Sequence, residues 1–195
     1  MAEDILSVQV SDKIKSSEAI GDKPDEQPVI MRYVPWHGKP SRAVTADDIP
    51  RVLKEAPVLG KLCHTPVGIY GGANAVSHAQ IDSVDPLRFF VSSSGEVIIN
   101  PVIINHTKVS VDSVEACTSF PENPPITVQR YHKVSVRFQQ ITTEKELGEP
   151  REENFSGPEA KAIQHECEHM AGHSIYDENH DPEWCLVSPS LVATT

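Results

Sequence analysis

The spacing of apolar and polar positions changes along this chain, and the change divides it into elements. Leu87 to Ser92 and Val97 to Ile104 are rich in Val, Ile and Phe, with Ser94-Gly95 supplying turn chemistry between them. Val109 to Val114 alternates, and so does Lys133 to Ile141, where Val134, Val136 and Phe138 separate from the opposite face. Asp47-Asp48-Ile49-Pro50 ahead of Arg51-Val52-Leu53-Lys54-Glu55 reads as a helix start, with Val52 and Leu53 as core. A turn-rich stretch follows through Gly68, Gly71 and Gly72. Near the C-terminus the period becomes helical: Ile163, Cys167 and Met170 form one stripe. Ser156-Gly157-Pro158-Glu159 offers a cap and a first-turn proline before it, and Gly172 a stop after it. Short strands, one long helix and no regular βαβ alternation predict an α+β fold, its mostly antiparallel strands arranged around the C-terminal helix. Residues 1–28 read as a polar tail or arm, 29–178 as the folded domain with an extended entry strand near Pro28 to Tyr33, and 179–195 as a C-terminal tail.

Composition narrows the function. The 195 residues are 38% hydrophobic and 23% charged, enough for one sizeable core. A formal net charge of −11 argues against a nucleic-acid surface, which needs clustered Lys and Arg. No apolar run reaches the roughly 20 residues of a membrane span. The acidic, polar first 30 residues lack the features of a secretory or transit leader, so cytoplasmic placement is expected. The four cysteines (Cys63, Cys117, Cys167 and Cys185) include no C-x-x-C pair, and Cys63, Cys167 and Cys185 fit as small buried hydrophobes.

The run Gln164-His165-Glu166-Cys167-Glu168-His169 carries the chemistry. On a helix, residues at i and i+4 share a face with Cβ atoms roughly 5–6 Å apart, so two imidazoles can meet at one metal ion. Glu166 stands beside the first to handle a proton, the logic of H-E-x-x-H hydrolases. The extended zincin pattern is absent: Gly172 fits it, but Ile175 occupies the place of its last histidine and His173 comes two residues early. A third ligand must come from elsewhere in the chain.

Glu115-Ala116-Cys117-Thr118-Ser119 closely resembles the E-G-C-L-S motif of peptide deformylases, and Gln164 to His169 resembles their Q-H-E-x-D-H motif. Their G-x-G-x-A-A-x-Q signature survives faintly as Ala75-Val76-Ser77-His78-Ala79-Gln80. Ile99-Asn100-Pro101-Val102-Ile103 and Gln129-Arg130-Tyr131 resemble the family's stretches before and after the second motif, in matching order over about residues 29–178. The resemblance implies removal of formyl groups from N-formyl-methionyl peptides of nascent chains at the ribosome, without membrane or nucleic-acid binding. It implies one divalent metal ion on Cys117, His165 and His169, with iron(II) expected and zinc, nickel or cobalt compatible with the same donors. Such a set leaves a coordination position open for water. Glu166 is then the acid/base, and the Gln80 amide and Thr118 backbone N–H are the oxyanion donors. Glu115 and Arg130 are implied to pair in support of the second motif, Gln164 to hydrogen-bond in the site wall and Glu168 to brace the ligands, while Ala75, Val76 and His78 fall where substrate binds.

Departures from the family pattern bear on substrate more than on metal. Motif one has lost its glycines and alanine pair, and His78 stands where a small residue is usual. Ala116 replaces a glycine, and Thr118 replaces a leucine and would bring a polar side chain to the pocket mouth. Glu168 is one methylene longer than the usual aspartate. Two rivals follow: a deformylase-fold amidase acting on another N-formyl amine, and an inactive relative kept as a binding module. The retained Glu166 speaks against the second, and Cys117 with the missing distal ligand speaks against a zincin endopeptidase.

Overall fold

A computed structural model of the chain describes residues 33–68 and 71–186. The expected N-terminal arm, most of the entry strand and the end of the C-terminal tail lie outside the described residues. The strands are β1 (Ala75–Ser77), β2 (Phe89–Ser92), β3 (Val97–His106), β4 (Ser110–Glu115), β5 (Ile126–Tyr131), β6 (Lys133–Gln139) and β7 (Arg151–Ser156). The helices are α1 (Ile49–Cys63) and α2 (Gly157–Ala171). Five strands form an antiparallel sheet in the order β1-β2-β3-β6-β7, and β4 pairs with β5 in a separate antiparallel ribbon.

Alternation along the strands builds a core on each side of the large sheet. Val76, Phe89, Val91 and Ile99 point to α1, where Val52, Ala56 and Leu59 meet them. Their neighbours Ala75, Phe90 and Ile98, with Val134, Val136 and Phe138, point to α2 and meet Ile163, Cys167 and Met170. A period of two on strands and a helical stripe on α2 dictate this division. The sheet is therefore filled from both faces. A smaller cluster of Cys117, Val128 and Ile175 sits under the ribbon.

The sequence pattern misses β7. Its residues Arg151-Glu152-Glu153-Asn154 are exposed and carry no apolar alternation. It pairs with β6 at the end of the strand order, where charges are tolerated and discourage further pairing. Leu53 on α1 is 37% exposed and so lies at the margin of the core expected for it. Residues 179–186 depart from a tail, because a 3-10 turn at Pro182–Cys185 packs on α2 and buries Cys185 completely. Among the described residues, no helix is long and apolar enough to cross a membrane.

Helix α2 starts after Ser156, whose side chain makes no capping bond, with Pro158 in the first turn. It stops at Gly172, which is left-handed at φ +90° and donates its N–H to the carbonyls of Glu168 and His169. The Ser41 N–H also donates to the Met170 carbonyl at 2.9 Å. A Cβ on residue 172 would stand 2.6 Å from the Gly38 carbonyl oxygen. Gly172→Ala is expected to lower unfolding stability by more than the roughly 1–2 kcal/mol of left-handed strain alone. Urea unfolding checks this, and an unchanged midpoint would contradict it.

Candidate metal centre

Helix α2 carries His165 and His169 one turn apart, and the segment after β4 brings Cys117 to them. Cys117 Sγ is 3.1 Å from His169 Nε2, which is 3.1 Å from His165 Nε2. All three donor atoms lie within 4.8 Å of one another. The outer nitrogens are already engaged: His165 Nδ1 meets Glu115 Oε2 at 2.9 Å, and His169 Nδ1 meets the His173 carbonyl at 3.2 Å. Both partners accept, so each ring carries its proton on Nδ1 and offers the Nε2 lone pair inward. A soft sulfur and two imidazole nitrogens converging at this spacing fit one small divalent ion, with Cys117 1% and His169 0% exposed.

The electrostatics favour a thiolate at Cys117, while the proton that the histidines hold is one an incoming ion would displace. Burial alone would raise the Cys117 thiol, but His169 and His165 beside it bring it well below the ordinary thiol range. Burial opposes charge on His165, yet Cys117 and Glu115 hold its pKa well above the ordinary value. The thiolate is the form in which sulfur binds metal. Burial pushes the Glu166 carboxyl up against the opposing pull of His165 and His169. Glu166 is 3% exposed, and its Oε2 has no hydrogen-bond partner.

Gln80 ends a 3-10 turn, His78–Gln80, after β1. Its Oε1 accepts the Ser77 N–H at 2.9 Å, which orients the amide. Its Nε2 donates to Ser119 Oγ at 3.1 Å and to Thr118 Oγ1 at 3.3 Å, with Cys117 Sγ at 3.9 Å. Thr118 is 7% exposed, lies in the cleft wall and is joined to Gln80 through its hydroxyl. Ala116 is absent from the described non-glycine residues with positive φ, so no glycine is needed there.

Arg130 is fully buried on β5 between two carboxylates. It reaches both oxygens of Glu115 at 2.8 Å, and Glu168 through two further contacts, one of them 3.0 Å. His180 Nε2 closes the row on Glu168 at 3.0 Å. Burial works against the Glu115 charge, but Arg130 and His165 hold its pKa below the ordinary range. Gln164 clamps α2 to β5 by accepting the Tyr131 N–H at 2.8 Å and donating to the Tyr131 and Ala160 carbonyls.

A cleft of about 370 Å³ opens beside the cluster, lined by Gln80, Glu115, Thr118, His165 and Glu166 and walled by Asn74, Ala75, Ser113, Pro158, Lys161 and Ala162. Of the three residues expected at substrate, only Ala75 lines it. Val76 is a correction: alternation on β1 turns its side chain into the α1 core. His78 is another. It is fully buried, with Nε2 2.7 Å from Glu55 Oε2 and Nδ1 accepting the Leu87 N–H at 2.9 Å. The sequence reading also missed Trp36, whose ring centroid lies 4.8 Å from that of His169, and Ser119 and His180. Ser119 closes the second motif but carried no role there, while no periodicity or motif marks Trp36 or His180.

Burial lowers the His78 pKa despite Glu55, so the folded chain takes up this proton later than the unfolded one. Its stabilising contribution is complete above the unfolded value of about 6.5 and is lost as pH falls through the folded value. Urea midpoints of metal-loaded protein are expected to drop from pH 7.5 to 5, with this group adding up to about 1.4 kcal/mol per pH unit. His78→Gln should flatten that slope, and an identical slope in the variant would remove His78 as a cause.

The model of the polypeptide deformylase family matches residues 72–183. Peptide deformylase 1 of Bifidobacterium longum is 30% identical over 177 residues, covering 82% of this chain and 76% of the relative. The peptide deformylase of Thermotoga neapolitana is 36% identical over 93 residues, covering 46% of this chain and 53% of the relative. The chain thus spans about half the length of that relative. The crystal structure of the Thermotoga maritima peptide deformylase superposes with a TM-score of 0.63 at 25% identity, over 77% of this chain and 98% of that one. A deformylase from a Vibrio parahaemolyticus bacteriophage, solved with actinonin, shares the fold at a TM-score of 0.57 and 22% identity, over 76% and 100% of the two chains.

Proposed function

This chain belongs to the polypeptide deformylase family, and on that premise we propose that it hydrolyses N-formyl-methionyl peptides to formate and a free amino terminus. The observation that carries the reading is the convergence of Cys117, His165 and His169 beside the buried, unpartnered Glu166 Oε2. Cys117 Sγ and the Nε2 atoms of the two histidines would hold one divalent ion. Iron(II) is the expected native metal, and zinc, nickel and cobalt suit the same donors. When bound, the ion supplies Lewis acidity toward water and the formyl carbonyl.

The remaining work falls to this chain's own groups. Glu166 takes a proton from the attacking water at its free oxygen and returns it to the amine nitrogen as the carbon–nitrogen bond breaks. The desolvation that raises its carboxyl suits both halves of that exchange. Gln80 Nε2 and the Thr118 backbone N–H would donate to the developing oxyanion, a reading supported for Gln80 by the Ser77 N–H that orients its amide. Glu115 keeps His165 in the tautomer a ligand needs, and Arg130 keeps Glu115 ionised. Nascent chains in the cytoplasm are the proposed source of substrate.

The test is formate release from formyl-Met-Ala-Ser by protein purified anaerobically with iron or reconstituted with nickel. Metal-dependent formate is the expected result. No formate from protein holding one metal per chain would overturn the reading.

A further inference from the structure

The cleft wall holds one lysine or arginine, Lys161. It stands on α2 four residues before His165, so the two share a helix face about 6 Å apart along the axis. Lys161 is half-buried, and its Nζ meets one polar atom, the Asp112 carbonyl oxygen, at 3.5 Å. Among the described residues it has no ion pair. The carboxylates of the cleft do not supply one, because Glu115 is bound to Arg130 and His165, and Glu166 lies at the reacting end. An unpaired positive charge thus faces the cleft of a chain whose net charge is −11. Ser113, which follows Asp112, adds a hydroxyl to the same wall, and Asn74 adds an amide. Ala75 and Ala162 end at Cβ, so the wall offers little apolar surface to a hydrocarbon side chain.

We propose that Lys161 recognises a carboxylate at the end of the formylated residue's side chain, so that formyl-glutamyl peptides are favoured over those with a neutral first residue of the same shape. The proposal rests on the deformylase reading for its substrate. A formyl group at the Cys117–His165–His169 cluster puts the formamide nitrogen at the His165 end of the shared helix face. From that nitrogen to a glutamate carboxylate oxygen there are five bonds of roughly 1.2–1.5 Å each. Extended, they cover about the 6 Å between the two helix positions. The flexible stem of Lys161 takes up the remainder, and its ammonium donates to the carboxylate. A glutamine side chain has the same length and lacks the charge.

The experiment compares formyl-Glu-Ala-Ser, formyl-Gln-Ala-Ser and formyl-Met-Ala-Ser on nickel-loaded protein. One readout is kcat/KM for formate release. The other is calorimetric affinity in the Glu166→Gln background, which holds peptide without consuming it. In both, glutamate is expected to exceed glutamine and methionine by at least about threefold, the strength of a partly exposed ion pair. Lys161→Met should erase the ratio of glutamate to glutamine, and Lys161→Glu should invert it, the fold of each variant being checked by thermal melting. An affinity ratio of one or less in the parent overturns the proposal. So does a preference that Lys161→Met leaves in place, since the metal itself would then be its source. Affinity that follows the charge at residue 161 without formate from any peptide sinks the deformylase reading while upholding the role of Lys161.

Discussion

Glu166→Ala protein, loaded with one metal per chain, is expected to release formate from formyl-Met-Ala-Ser at a rate reduced by roughly 10²–10⁴-fold or more. The size follows from where the carboxylate sits. It is 3% exposed, one oxygen has no partner, and His165 beside it in sequence faces the same cleft. Water reaching such a site meets no second carboxylate free to accept a proton, because Glu115 and Glu168 are committed to Arg130. Glu166→Gln should lose as much, since the amide keeps the shape and lacks the basic oxygen. Metal content measured on the same samples separates the roles. Full occupancy with lost turnover places Glu166 in proton transfer, whereas unchanged turnover would sink that assignment.

Arg130→Met is expected to cost roughly 3–5 kcal/mol of stability, the range for removing one partner of a buried ion pair. Arg130 is 0% exposed and holds two carboxylates that are themselves largely buried. Without it Glu115 and Glu168 face each other with His165 and His180 as their remaining charged neighbours. At about 2–4 °C per kcal/mol for a chain of this size, the melting temperature should fall by roughly 6–20 °C. Calorimetry on metal-free and metal-loaded protein tests this, and a loss under about 1 kcal/mol in both forms would mean the network is not structural. Metal affinity should weaken as well, because Glu115 orients His165.

What could be read from the sequence follows from how local each signal is. The α2 helix, its glycine stop and the strands with a clear period of two depend on neighbours within a few residues, and they are found where expected. The convergence of Cys117, His165 and His169 was legible because each sits in a short run with distinctive chemistry. Val76 and His78 were misplaced toward substrate for the opposite reason. Motif one covers only a three-residue strand and one turn, and which side faces the cleft is decided by α1 packing from a distant part of the chain. Burying His78 against Glu55 also removes the main residue that favoured another formyl amine as substrate. Strand β7 has no apolar face to announce it, and His180 acquires its role only when the 3-10 turn folds back on α2. Tertiary contact creates those features, so no window along the chain contains them.

The row running from His165 through Glu115, Arg130 and Glu168 to His180 joins four parts of the chain: α2, the end of β4, β5 and the segment after Asp177. Holding an ion at the proposed site and holding the fold would then be a single cooperative property. An opening that frees the His165 ring must also disturb a fully buried guanidinium, so it approaches the cost of unfolding the domain centre and not that of a fraying loop. The same coupling runs in reverse. Metal bound at the cluster favours the folded side of that opening, so loss of the ion would be felt first as greater breathing along β5 and the C-terminal turn.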